Sequence, residues 1–365
     1  MIRPPIVEIG DRNPSDELQR RVGAALEHGE LVALPTETVY GLAARADRPD
    51  GLQRLIRCKG RPPELGFTWH VAAPAALELF ESLRPLARRL AGRFWPGPLT
   101  MVLKGVPKGL ELVAREGWTG LRCPAHDATR ALLAGMPFPV VLSSANRHGE
   151  SPLLRAGEVA DRFGEALCLV VDGGPSRLSE ASAVLRLGHG HFEVLREGLL
   201  ELESLRRTAG LRIGFACTGN TCRSPMAEGI ARAMLAARLG TAEERGGIAQ
   251  FGFQVTSLGL SAGNGLPASP LALEVCAGRS IDLAKHRSRS ATPERVRDLD
   301  RIYAMTQSHQ QALRSMLPPL RAGRIELLDP CGMDIPDPLG GPRADYERCA
   351  ERIARAIEER GADWA

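Results

Sequence analysis

The sequence predicts an α/β chain made of two domains, and three observations predict it. Helical and strand-like patterns alternate over residues 14–199, which suggests an α/β or α+β sheet domain. An apolar run at 211–216 then leads through a polar loop into a helical pattern, with Met226, Ile230 and Met234 recurring every four residues. At 365 residues the chain is long enough for two domains of ordinary size, and no internal repeat is visible between its halves.

Asn13-Pro14-Ser15 caps the first helix, in which Leu18, Val22, Ala25 and Leu26 share a face; it ends at His28-Gly29. Residues 31–34 read as a strand leading into Pro35-Thr36-Glu37-Thr38-Val39-Tyr40-Gly41-Leu42. Further strands fall at 99–103, 139–142, 167–171 and 183–187, and helices around 74–92, 127–135 and 156–163. Residues 199–207, charged and leucine-containing, read as a short linker helix that Thr208-Ala209-Gly210 breaks. The expected organisation is a domain over 1–199, a linker over 200–210 and a domain over 211–365.

Composition narrows the class. The chain is 44% hydrophobic and 25% charged, as expected of a soluble globular protein. A net charge of +4 lends little support to a general nucleic-acid role. The longest apolar runs fall far short of the ~20 residues that span a bilayer. The segment Met1-Ile2-Arg3-Pro4-Pro5 lacks the apolar stretch of a signal peptide. Eight cysteines form neither metal-ligand pairs of the two-apart type nor a compact disulfide framework. The expectation is a cytoplasmic protein with no membrane association and no metal ligands of its own.

The most informative stretch is Cys217-Thr218-Gly219-Asn220-Thr221-Cys222-Arg223-Ser224. A cysteine, five residues and an arginine between a strand and a helix make a phosphate trap. Loop N–H groups and the helix N-terminus converge on an anion, and Arg223 can hold two phosphate oxygens as a fork. In that positive field Cys217 is expected to be largely thiolate. A nucleophile facing a bound phosphate ester implies phosphoryl transfer through a phosphocysteine. Gly219 is expected to permit the tight loop, Asn220 to tolerate left-handed geometry, and Ser224 to hydrogen-bond the thiolate. Thr218, Thr221 and Cys222 complete the expected phosphate-binding loop.

On these residues the stretch resembles the low-molecular-weight protein tyrosine phosphatase family, from about residue 211 to the C-terminus. The resemblance implies a doubly wound four-stranded parallel sheet and no cofactor. It also implies a general acid on a late Asp-Pro loop, where Asp337-Pro338-Leu339-Gly340-Gly341 stands, with Asp334 as its rival. Cys217, Arg223 and Asp337 are therefore the expected catalytic residues, and His286-Arg287-Ser288 resembles the family's support for the loop. Leu339-Gly340-Gly341 offers no aromatic wall for a phenyl ring, and tyrosine-directed relatives often carry a bulkier aliphatic residue in place of Thr221. Both features resemble the branch that hydrolyses phosphoarginine on proteins, with phosphotyrosine as the alternative substrate. A related family reduces arsenate, which needs two more cysteines in mid-domain; between Arg223 and Pro330 there is only Cys276. The spacing of Cys217 and Cys222 suggests a reversible protective disulfide.

Upstream, polar clusters sit at strand ends. Lys59-Gly60-Arg61-Pro62-Pro63 reads as an extended segment presenting two cations on one face. Ser143-Ser144-Ala145-Asn146 follows an apolar strand, Phe94-Trp95-Pro96-Gly97-Pro98-Leu99-Thr100 is a stiff turn into another, and Arg122 and Arg196 each follow or close an apolar stretch.

In this order the segments resemble the threonylcarbamoyl-AMP synthase family over residues 14–199. The resemblance implies a twisted open α/β sheet with a concave basic cleft, and ATP (with Mg2+), L-threonine and bicarbonate as substrates for a tRNA adenosine modification. It assigns Lys59, Arg61, Ser144, Asn146 and Arg196 to ATP, and Thr36, His70, Arg122 and Ser182 to threonine. Expected partners are these small molecules, a phosphorylated protein and other tRNA-modification proteins. The rival for this half is a binding module that holds RNA or a nucleotide without catalysis.

Overall fold

Two sheets organise the chain. The computed structural model describes residues 3–9, 13–62, 66–80, 85–188, 191–242, 247–318, 322–362 and 364. Met1 and Ile2, Pro63 beside Arg61, and residues 81–84 of the expected 74–92 helix lie outside the described residues. The chain divides into two units, Met1–Gly188 with Phe192–Leu205, and His189–His191 with Arg206–Ala365.

In the first unit the elements run β1 (Ile6–Glu8), α1 (Asp16–Glu27), β2 (Val32–Leu34), β3 (Gly41–Arg45), α2 (Pro49–Lys59), β4 (Thr68–His70), a 3-10 helix (Pro74–Leu79) and α3 (Pro85–Phe94). They continue with β5 (Leu99–Lys104), β6 (Trp118–Arg122), α4 (Asp127–Ala134), β7 (Val140–Ser144), α5 (Ala156–Phe163), β8 (Leu169–Asp172), β9 (Ala183–Leu187) and β10 (Phe192–Arg196). Helix α6 (Leu202–Ala209) follows. Ten strands form one mixed sheet in the order β1-β8-β2-β3-β7-β4-β6-β5-β9-β10.

Alternation along the strands sends successive side chains to opposite faces. Val32 and Leu34 pack with Leu18, Val22 and Leu26 of α1 and Leu132 of α4. Ala33 packs with Leu52 and Leu55 of α2 and Val159 of α5. Helices therefore cover both faces. Ser15 caps α1, its Oγ accepting from Leu18 N–H at 3.2 Å.

Two local readings are corrected. Lys59 is not in an extended segment: it is the last residue of α2, and Gly60 closes that helix in the left-handed conformation at φ 59°. Proline at 49 starts the helix and Leu52 and Leu55 bury its face, so packing overrides the Gly-Pro signal downstream. The stretch 74–92 is not a single helix, since a 3-10 helix ends at Leu79 and α3 begins at Pro85.

The second unit contains β11 (Arg212–Cys217), α7 (Arg223–Arg238), β12 (Gln254–Gly259), α8 (Pro270–Ala277), α9 (Pro293–Arg297), β13 (Arg301–Ala304), α10 (Gln307–Ser315), β14 (Ile325–Leu327) and a C-terminal helix, Arg343–Gly361. Its four strands lie in the order β12-β11-β13-β14 and are parallel throughout. Phe215 and Cys217 pack with Met226 and Ile230 of α7 and Ile353 of the C-terminal helix. Ala216 packs on the other face with Val296 and Leu313. This is a doubly wound sheet whose strand order reverses at β11, and such switch points place a ligand at the carboxyl end of the strand. Cys217 is the last residue of β11. No helix among the described residues is long and apolar enough to cross a membrane.

Candidate active sites

In the first unit, nine residues singled out from the sequence line one cavity of about 370 Å³: Thr36, Lys59, Arg61, His70, Arg122, Ser144, Asn146, Ser182 and Arg196. The sheet order brings them together. His70 ends β4, Arg122 ends β6, Ser144 ends β7 and Arg196 ends β10. His70 and Arg122 are register partners across the parallel β4–β6 pair.

Arg122 is buried in the wall. Its Nη2 donates to Glu37 Oε1 at 2.8 Å and Thr38 Oγ1 at 2.7 Å, and its Nε to Gly97 O at 3.3 Å. Glu37, equally buried, was not singled out as a site residue in the sequence; a salt bridge across 85 positions leaves no local pattern. Its second oxygen has no hydrogen-bond partner among the described residues. Glu37→Ala would strand a buried guanidinium, and removing one partner of a buried pair costs about 3–5 kcal/mol. A denaturant midpoint shifted accordingly, relative to wild type, is the check.

His70 Nδ1 lies 3.0 Å from the Thr68 carbonyl, so Nδ1 carries the proton and Nε2 is left as an acceptor. Burial, then the charge of Arg122, pulls its pKa down to about 3. The ring is neutral throughout the physiological range. Lys59 is buried too; its Nζ donates to the Ser144 carbonyl, to Asn146 O at 2.8 Å and to Asn146 Oδ1 at 3.4 Å. Burial and then Arg61 pull its pKa down to about 8. Arg61 lies over the Phe67 ring, 4.4 Å from its centroid, and donates to Gly66 O at 2.9 Å.

Beside Lys59, and not on a wall opposite it, Ser144 Oγ donates to Asn146 Oδ1 at 2.6 Å. Arg196 Nη2 donates to Ser182 O at 2.8 Å, and Ser182 Oγ is 2.9 Å from Thr100 Oγ1. Thr36 Oγ1 folds back on its own turn, receiving Val39 N–H at 3.2 Å. Lysine and arginine side chains dominate the charge of this lining, and no carboxylate is among its described residues. The cavity suits a polyanion.

In the second unit, Cys217 is buried and its Sγ is 2.9 Å from Ser224 Oγ. Five loop carbonyls are engaged outside the loop or in α7: Cys217 O by Leu260 N, Thr218 O by Ser261 N, Thr221 O by Ser269 N, Cys222 O by Met226 N, and Asn220 O by His286 Nε2 at 2.9 Å. In a trans peptide the N–H points opposite to the C=O. The loop's N–H groups therefore turn away from these partners, toward the ligand side. Asn220 is in the left-handed region at φ 55°, held by bonds from Nδ2 to Ser224 Oγ (2.9 Å) and Ser257 Oγ (2.8 Å) and into Oδ1 from Arg289 N (2.7 Å).

Gly219 differs from expectation. A Cβ there would meet only Thr221 Oγ1, at an ordinary 3.5 Å, so the turn does not require glycine. The close approach is at Gly259, where a Cβ would lie 2.7 Å from Thr218 O.

Arg223 Nη1 donates to Ile335 O at 3.1 Å and Nη2 to Asp337 Oδ2 at 2.5 Å. Asp337 is 42% exposed at the rim. Asp334 points elsewhere, its Oδ1 accepting from Gln307 N–H at 2.8 Å. Cys222 Sγ is 3.3 Å from Ser269 Oγ and 3.5 Å from Tyr346 Oη, and Leu339 is exposed.

Comparison with known proteins divides the chain at the same place. The family model for telomere recombination proteins matches residues 24–198, and the one for low molecular weight phosphotyrosine protein phosphatases matches residues 212–361. Among curated relatives, a Pyrococcus abyssi threonylcarbamoyl-AMP synthase is 35% identical over 232 residues, 61% of this chain. The match spans 66% of that relative's length. A Chromohalobacter salexigens threonylcarbamoyl-AMP synthase is 36% identical over 175 residues, 47% of this chain and 93% of the relative. The crystal structure of Pyrococcus abyssi Sua5 complexed with L-threonine aligns over 96% of this chain and 98% of that one, at 21% identity and a TM-score of 0.51, a likeness of fold. Through residues 24–198 the chain belongs to the threonylcarbamoyl-AMP synthase family, and it carries a low-molecular-weight phosphatase domain fused behind that part.

Proposed function

We propose that the chain is a bifunctional cytoplasmic enzyme. Its first domain, residues 1–199, forms L-threonylcarbamoyl-AMP and pyrophosphate from ATP, L-threonine and bicarbonate for tRNA adenosine modification, in the company of other modification proteins. Its second, residues 211–365, is a cysteine-dependent protein phosphatase. The observation that carries the first reading is the convergence of nine residues, scattered from Thr36 to Arg196, on one cationic cavity. Since its described lining has no carboxylate, Mg2+ would enter on the phosphate oxygens of ATP. Lys59 and Arg61 would neutralise those phosphates and the departing pyrophosphate, Arg122 would face the threonine carboxylate, and Thr36 and the Nε2 acceptor of His70 would contact the rest of the amino acid. Ser182 and Arg196 would close the opposite wall. Pyrophosphate release measured with threonine or bicarbonate withheld tests this; turnover indifferent to threonine would overturn it.

In the phosphatase, loop N–H groups and Arg223 hold the phosphoryl oxygens while Cys217 Sγ attacks phosphorus. As the S–P bond forms, the bond to the leaving group breaks and the Asp337 carboxyl gives that group its proton. Asp337, now a carboxylate, takes a proton from water, whose oxygen displaces the thiolate and releases phosphate. Phosphoarginine is the preferred substrate. The exposed Leu339 beside Asp337 offers an aliphatic surface in place of a ring, and the Thr221 hydroxyl would meet water or a guanidinium N–H.

Thr221→Ile therefore removes that contact and narrows the pocket. Phosphoarginine turnover should fall while phosphotyrosine turnover holds or rises, because Arg223 and the loop bind oxygens common to both. Parallel assays on the two phosphopeptides decide it, and equal loss of both activities would withdraw the role of Thr221.

A further inference from the structure

One ring with no role so far joins the nucleophile loop to the acid loop. His309 is buried in the first turn of α10, with Nε2 2.9 Å from Thr218 Oγ1 and Nδ1 2.9 Å from Thr306 Oγ1. Thr306 caps α10, and its Oγ1 also accepts from His309 N–H at 3.3 Å. The acid loop is tied to the same turn from its other side. Asp334 Oδ1 accepts from Gln307 N–H at 2.8 Å, and Ile335 N–H donates to Met305 O at 2.8 Å. Arg223 closes the circuit through Ile335 O and Asp337. Residues 305–309 are thus a common anchor for the segment that carries the nucleophile and the segment that carries the acid.

The ring suits this post. Burial and Arg223 hold its pKa below the ordinary histidine value, against Asp337 and Asp334. A neutral imidazole offers one donor and one acceptor, and the flanking threonine hydroxyls can play either part, so both bonds are made in either tautomer.

We propose that His309 is a positioning residue that sets Thr218, and with it Cys217, in register with Asp337. The inference rests on the reading of Cys217 as nucleophile and Asp337 as acid. Its consequence is selective. A displaced acid matters when the leaving oxygen must be protonated as the P–O bond breaks, and matters little when the leaving group departs as a stable anion.

The test uses the full chain and two small substrates, phenyl phosphate and p-nitrophenyl phosphate. Phenolate, with a conjugate acid pKa of about 10, needs the proton; nitrophenolate leaves with far less help. His309→Ala should lower kcat/KM, which reads the step that expels the leaving group and not the shared hydrolysis that follows, by about tenfold or more for phenyl phosphate, within the range of general acid catalysis, and by no more than about threefold for p-nitrophenyl phosphate. His309→Asn, which keeps a side-chain donor and acceptor, should narrow the gap. Asp334→Ala, an exposed change, should reproduce the signature by loosening the acid loop from the same turn. Equal losses of kcat/KM on both substrates, or no loss, in His309→Ala would overturn the proposal; if that variant does not fold, Asp334→Ala decides by the same criterion. Cys217→Ser separates the two levels. Turnover retained in that variant would defeat the nucleophile reading itself, whereas a dead Cys217→Ser with leaving-group-blind His309 and Asp334 variants would defeat only the positioning role.

Discussion

Replacing Cys217 with serine should abolish phosphatase turnover while leaving threonine-dependent pyrophosphate release intact. The change swaps sulfur for oxygen at the end of β11, where Sγ meets Ser224 Oγ at 2.9 Å. It leaves the loop carbonyls, Asn220 and Arg223 as they are, so phosphate binding should survive the loss of chemistry. A lone serine hydroxyl is a weak nucleophile without a base to take its proton. Loss of a nucleophile in comparable covalent catalysis costs about 10⁴ or more, so residual turnover within roughly tenfold of wild type would exclude Cys217. The synthase cavity draws all of its lining from residues 36–196, which is why its activity should not respond.

Lys59→Ala and Arg61→Ala should each depress adenylate formation by ~10² or more, the scale of removing one preorganised charge from a transition state. The two should differ in stability. Lys59 donates to carbonyl oxygens of Ser144 and Asn146 from a buried position, and its removal leaves acceptors unsatisfied at about 1–3 kcal/mol. Arg61 is partly exposed, donating to Gly66 O and lying over the Phe67 ring, so its loss should lower the melting temperature less. The Lys59 pKa near 8 adds a pH signature. The ammonium charge is present below that value and lost above it, so nucleotide affinity should fall as pH rises through about 8. Lys59→Arg should flatten that limb, since a guanidinium keeps its proton. Unaltered synthase kinetics in the Lys59/Arg61 double variant would mean that these cations are bystanders.

What was legible followed local pattern. The Ser15 cap and the spacing of Leu18, Val22 and Leu26 delimit α1 without help from the rest of the chain, and β11–loop–α7 announces itself through a strand, a polar turn and a helical period. The failures share a cause. Strand β4 has only three residues and exists because β6 and β7, from positions more than 45 residues away, lie on either side of it. Helix α2 ends in Lys59-Gly60, and the prolines that follow disguised it. The cavity residues are legible as separate motifs, but their meeting depends on the order of ten strands, which no local signal encodes. Glu37 was missed because its importance lies wholly in a partner on β6.

The Arg223–Asp337 ion pair means that the phosphatase meets every ligand with a competitor already in place. The carboxylate proposed as the acid occupies one arm of the guanidinium, and at 42% exposure it can swing into water as a phosphate takes its place on Arg223. A phosphorylated side chain repays that displacement with contacts from its organic portion; inorganic phosphate has none to offer. With Asp337 as the proposed acid, one residue would both protonate the leaving group and blunt product inhibition, so that free phosphate would leave the enzyme open to its substrate.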